Sequence, residues 1–158
     1  MIINHINENL WDTPESERTG LDIDTVSFDN ESRTKRVQRL KSAKGTELAL
    51  KLEPGFRELY DGDVLHKDGD SVIIAKIEPT DVIIIKPRSI LEALSVAHGL
   101  GNRHLQAQFL GEDSSFGAEV MVVRRDHTVE HFLDHAEVPY SKDAHVMPEA
   151  FRHAEHTH

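Results

Sequence analysis

The chain contains no cysteine, which removes disulfides, thiolate metal ligands and cysteine nucleophiles in one step. Any metal site must then draw on nitrogen and oxygen donors. Closed cysteine-rich zinc modules are excluded, and imidazole–carboxylate sites remain. Long apolar runs are missing as well: Val82 to Ile85, Val-Ile-Ile-Ile, falls far short of the ~20 residues that span a bilayer and reads as a buried strand. Met1 to Asn9 carries no basic segment ahead of an apolar one, so no signal peptide and a cytoplasmic location are expected. Enzyme signatures are absent too. There is no Gly-x-Ser-x-Gly elbow, no His-Glu-x-x-His pair and no glycine-rich phosphate loop, and nothing in the pattern predicts an enzyme. Positive charge is scarce: 28 acidic residues against 18 basic give a formal charge of −10. A surface of that sign repels phosphate backbones and disfavours nucleic acid as a partner.

Against these absences stand 11 histidines in 158 residues, seven of them after His104. The acidic balance also has one local exception. Arg33 to Lys44 holds six basic residues and no acidic one. Such a run is ordinarily a solvated strand edge that guards against edge pairing; its functional reading is a docking surface for an acidic protein. The acid pairs Asp61/Asp63 and Asp68/Asp70 lack the twelve-residue loop and terminal bidentate Glu of a calcium site, and hairpin turns account for them.

The length suits one or two small domains. Residues 1–20 are polar and broken by Pro14 and Gly20, so a short strand at most, then loop, is expected. Strands follow at 24–28, 33–40, 47–52, 64–65 and 71–77, the last two around an Asp-Gly turn. No helical period occurs before residue 88, which predicts an all-β domain over 1–78. From 79 the order changes: strand 81–86, helix 90–98, strand 105–110, strand 117–123, helix 127–136 and an extended piece near 138–147. That order, β-α-β-β-α-β, is the ferredoxin-like arrangement and is expected over 79–148. Residues 149–158 read as a flexible tail. The fold class expected is thus α+β.

Within this frame one stretch stands out, Gly99-Leu-Gly-Asn-Arg-His104. It follows a helix opened by a Ser89/Glu92 capping box. Gly99 sits where a helix needs a residue of positive φ, and Asn102 tolerates the same conformation. By the period of the strand expected after it, His104 falls on the face of Gln106 and Gln108, away from the core. The second helix carries His127, His131 and His135 on one face, opposite the stripe of Val129, Phe132, Leu133 and Ala136. Adjacent pairs are spaced to chelate an ion, and a solvated helix face explains the pattern equally well. His98, near a helix C-terminus, His5 and His66 read as structural or surface residues, and His145 as a ligand that folds onto a site.

Leu100-Gly-Asn-Arg-His104 resembles the signature of the urease accessory protein E family of nickel metallochaperones. Ser27-Phe28-Asp29 with the following basic run, Gly45 with Glu47-Leu48, then Leu52, Gly55 and Asp61-Gly62-Asp63 are similar to that family's N-terminal pattern. Asp126-His127 resembles its second histidine cluster, and His153, His156 and His158 a short version of its histidine-rich tail. The resemblance runs from about residue 20 to the end, and the first twenty residues show no pattern of their own. It implies an N-terminal domain that engages partners or peptides, a metal-binding and dimerisation domain, and a homodimer in which two copies of His104 share a site. It further implies Ni²⁺ as cargo, with Zn²⁺ and Cu²⁺ as competitors, ligands from His104, His127, His153, His156 and His158, and delivery to apo-urease with an accessory GTPase. Imidazoles bind metal only when deprotonated, so uptake should fall as pH drops through about 6.5. The alternative is a histidine-rich interaction adaptor whose association responds to pH without a metal. A metal-dependent hydrolase would need a convergent carboxylate base that the sequence does not show.

Overall fold

A computed structural model of the chain describes residues 1–152. It divides into two compact units, one of 1–79 with 146–150, the other of 80–145 with 151–152. The return of 146–150 to the first unit has no counterpart in the sequence pattern.

The first unit holds strands β1 (Ile2–Ile3), β2 (Asp22–Phe28), β3 (Val37–Lys41), β4 (Glu47–Lys51), β5 (Val64–Asp68) and β6 (Ser71–Ile77). They form two three-stranded sheets, ordered β1-β4-β3 and β2-β6-β5. β6 explains the layering. Its residues 73, 75 and 77 enter one core with Phe28, Leu50 and Leu59. Its alternate residues Val72 and Ile74 enter a second cluster with Leu10. A strand covered on both faces needs a near-continuous apolar run, which Val72 to Ala75 supplies. Each such side chain contributes about 1.5–3 kcal/mol relative to exposure.

The short strand expected within residues 1–20 is present at Ile2–Ile3, and the loop expected after it needs correction. A 3-10 turn at Leu10–Asp12 and a short helix α1 (Glu15–Arg18) lie there. Asn9 caps the turn by accepting from the Trp11 N–H, which presents Leu10 to β6. The strand expected from Arg33 also starts late. Residues 32–34 form a 3-10 turn, and Arg33 is 2% exposed instead of lying on a solvated edge.

The second unit runs β7 (Thr80–Ile85), α2 (Ile90–Gly101), β8 (Ala107–Leu110), β9 (Val120–Arg124), α3 (His127–Ala136) and β10 (Tyr140–His145). Its single sheet has the order β10-β7-β9-β8, with every pairing antiparallel. Ile83, Ile85, Met121 and Val123 face Val96 and Leu100 of α2 and Val129 and Leu133 of α3. The chain is therefore mixed α+β, mostly sheet. Among the described residues no helix is long and apolar enough to cross a membrane.

Candidate metal centre

The helix that leads into the histidine turn starts as its capping signal predicts. Ser89 Oγ accepts from the Glu92 N–H at 3.1 Å, and Glu92 Oε1 accepts from the Arg88 N–H at 2.9 Å. It ends differently. Gly99 lies inside α2, not at its end, and the reason is steric: a Cβ there would stand 2.6 Å from Cζ of Phe132. The helix continues to Gly101, and Asn102 remains right-handed at φ −64°. Arg103 N–H then donates to Leu100 O and His104 N–H to Gly101 O, each at 3.0 Å, so the last turn tightens into 3-10 geometry. The left-handed residue that reverses the chain is His104 itself, at φ 55°.

This corrects the expected position of His104. The strand begins at Ala107, not Leu105, so the alternation of β8 does not reach back to residue 104. The imidazole is exposed because a turn carries it, not because a sheet face does. A non-glycine residue in this conformation costs about 1–2 kcal/mol, and such strain collects where a side chain has a role.

Arg103 ties that turn to α3. Its Nη1 donates to Thr128 O at 3.3 Å, and its guanidinium sits 5.3 Å over the Phe132 ring. Thr128 follows His127, the first residue of α3. Asp126 caps this helix: its Oδ1 accepts from the Thr128 hydroxyl at 2.6 Å and the Thr128 N–H at 2.7 Å. Those bonds hold the Asp126 carboxyl below the usual carboxylate range. His127 is 95% exposed, with Nδ1 3.3 Å from Glu130 Oε2. Glu130 is also held low, first by its hydrogen bond from Lys142, whose ammonium lies 3.0 Å away. Glu130 is therefore an ionised carboxylate held between Lys142 and His127. Glu130 is absent from the residues the sequence pattern singles out; its i+3 spacing from His127 is the signal that could find it.

The remaining histidines are placed plainly. His131 and His135 are exposed on α3 while Val129 and Leu133 on the opposite side are buried. His145 does not offer a free ring. Its Nε2 lies 2.9 Å from Ser115 Oγ, and its ring stacks on Phe116 at 4.4 Å. His153, His156 and His158 lie outside the described residues. Among the described residues no three His, Asp or Glu side chains converge to hold a metal ion. The structure thus brings the His104 turn and the first turn of α3 together through Arg103 without closing a coordination shell.

At its other end, away from this turn, α2 shows an apolar face with no counterpart among the sequence expectations. Ile90, Leu91 and Leu94 are 81, 78 and 63% exposed, and Phe109 of β8 is 69% exposed. A groove of about 440 Å³ beside them is lined by Ile90, Ala93, Ala97, Phe109 and Met121.

Comparison of the amino-acid sequence with known proteins points the same way as the motif resemblance. The profile of the UreE urease accessory protein, N-terminal domain, covers residues 3–78, so the likeness begins well inside the first twenty residues. The urease accessory protein UreE of Pseudarthrobacter chlorophenolicus is 47% identical over the whole of both chains. That of Corynebacterium urealyticum is 46% identical and that of Actinomyces naeslundii 43%, again over the full length of each. Identity at that level over the full length places this chain in the urease accessory protein UreE family.

Proposed function

We propose that the protein is a nickel metallochaperone of urease maturation, which binds Ni²⁺ through histidines at a homodimer interface and delivers it to apo-urease with the accessory GTPase. The observation that carries this reading is the His104 turn. A strained left-handed backbone presents an imidazole to solvent, and Arg103 fixes that turn against the start of α3. One imidazole holds an ion weakly. A second copy related by a two-fold axis near His104 contributes the same ligand again. The apolar face of Ile90, Leu91, Leu94 and Phe109 is chemically suited to such an interface, since an exposed patch of this kind calls for a partner. His127 with Glu130, and the tail histidines His153, His156 and His158, would complete the shell in stages. Neutral imidazole and carboxylate suit Ni²⁺, Zn²⁺ and Cu²⁺ alike, so selectivity rests with the dimer geometry and the recipient. The protein then acts as a carrier and not as an enzyme, in the cytoplasm where urease is assembled. The sheet order of the second unit, together with its two crossover helices, supports reading a ferredoxin-like metal-binding and dimerisation domain within 79–148. The flexible tail expected over 149–158 cannot begin at 149, because Ala150 and Phe151 are buried and the Ala150 N–H donates to Glu58.

Titration calorimetry with Ni²⁺ on the intact chain, on His104→Gly and on a truncation after Arg152, which keeps the buried Ala150 and Phe151, tests this. One tight ion per two chains, lost in His104→Gly, with only weaker sites lost on truncation, is the expected result. Tight binding that survives His104→Gly would move the site to α3 and the tail.

A further inference from the structure

β3 leaves one edge open. It pairs with β4 alone, and the register sets which backbone groups remain. Leu52 N–H donates to Arg36 O and Ser42 N–H to Thr46 O, so residues 36, 38, 40 and 42 point their N–H and C=O groups at β4. Ala49 N–H accordingly turns away from Arg39, to Met1 O on the opposite side. Val37, Arg39 and Lys41 must therefore aim their N–H and C=O groups at the open edge. Among the described residues nothing bonds to them.

The same three side chains lie together on the outer face of the sheet and are exposed, while Leu48 and Leu50 on the inner face are buried. Lys51, opposite Val37, is exposed on the outer face as well. Among the described residues none of Arg39, Lys41 and Lys51 makes an ion pair. Residues 33–51 hold seven of the chain's 18 basic residues and a single acid, Glu47, in a chain of net charge −10. Unscreened cations along an edge repel a second copy of that edge. They attract an anionic strand.

We propose that the open edge of β3 takes an extended acidic segment of a partner protein by antiparallel strand addition. Backbone bonds to Val37, Arg39 and Lys41 give the affinity, and carboxylates opposite Arg39 and Lys41 give the selectivity. The register then fixes the motif of the incoming strand: acid, any residue, acid, any residue, apolar, with the apolar residue against Val37. A nucleic acid offers charge without a complementary backbone ladder and does not meet this requirement. The inference is independent of the metal reading.

The probe is a synthetic peptide, Glu-Thr-Glu-Thr-Val with neutral caps, titrated into the ¹⁵N-labelled full chain. The amides of residues 37, 39 and 41 should shift and saturate. Charge reversal at Arg39→Glu/Lys41→Glu should weaken binding tenfold or more. N-methylation of the two Glu and the Val, whose N–H groups face β3, should weaken it by a similar factor. N-methylation of the two Thr, whose N–H groups face away, should leave it within twofold. Equal binding by the edge-methylated peptide, or equal shifts with oligothymidylate, would overturn strand addition in favour of a plain polyanion surface. Absence of shifts at 37–41 would overturn the site altogether.

Discussion

Gly99 and His104 are five residues apart, and each stands where the other's reason would be expected. Gly99 has a right-handed place inside α2, and what it supplies is the missing side chain: Phe132 Cζ occupies the position of a Cβ at 2.6 Å. In Gly99→Ala the better helix propensity contributes about 1 kcal/mol. The forced displacement of Phe132, held between the core and Arg103, costs about 1–3 kcal/mol. The expected balance is a net loss of about 1 kcal/mol in urea unfolding, reversed by adding Phe132→Leu. His104 carries the left-handed backbone with a full side chain. His104→Gly should therefore raise unfolding free energy by about 1 kcal/mol while abolishing tight Ni²⁺ uptake. A variant that gains stability and loses binding separates function from fold. A variant that lost both would assign the imidazole to the packing of the turn.

At the scale of elements, what was legible followed local chemistry and what was not followed contacts across the sequence. The start of α2 could be read because Ser89 and Glu92 act within one turn, and α3 could be read end to end because its cap, Asp126, and its apolar stripe are both local. The end of α2 could not. Gly99 imitates a terminating glycine, and only the ring of Phe132, 33 positions away, gives its actual reason. The same error moved the start of β8, because the turn through His104 consumes the residues assigned to the strand. Leu10 was illegible since a three-residue turn has no period; its meaning lies in covering Val72 and Ile74. His127 was legible as a motif, its partner Glu130 only as spacing. The cap of α3 carries a prediction. Asp126→Ala should lower unfolding free energy by about 1 kcal/mol at neutral pH. The Asp126 carboxyl is held below its ordinary 3.8 by the Thr128 hydroxyl and N–H. A depressed folded value means the cap stabilises above the unfolded value and is lost as pH falls through the folded one. The difference between parent and variant should thus persist at pH 5 and shrink below pH 3.8, as urea melts at several pH values would record. A difference unchanged at pH 2 would mean that the carboxylate is not the capping group.

At the scale of the whole molecule, the first unit is completed by residues that follow the second one in sequence, and a single buried cation makes the connection. Arg33 lies in a run that reads as solvated, yet its guanidinium is buried among acceptors. Nε contacts Leu59 O and Glu58 Oε2, each at 3.1 Å, Nη1 donates to Met147 O at 2.9 Å, and Nη2 donates to Pro148 O at 3.2 Å. Glu58 Oε2 also accepts from the Ala150 N–H at 2.7 Å. The pair thus holds both sides of the 147–150 segment, the last one before the histidine-bearing terminus. Burial lowers the Arg33 pKa from its ordinary value and the Glu58 charge opposes that effect, so removing the carboxylate leaves a desolvated cation with carbonyl partners only. Glu58→Gln keeps the shape and an acceptor for Ala150 but removes the charge, and a loss of about 3 kcal/mol is expected. Arg33→Met/Glu58→Met removes both charges and should cost less than Glu58→Gln, because no unpaired ion stays buried. In both variants the Ala150 amide should exchange faster, but in the double variant the core amides of β6 should remain protected. If Glu58→Gln costs under about 1 kcal/mol and Ala150 stays protected, the main-chain bonds alone hold the segment, and the ion pair is dispensable to the anchoring of the C-terminus.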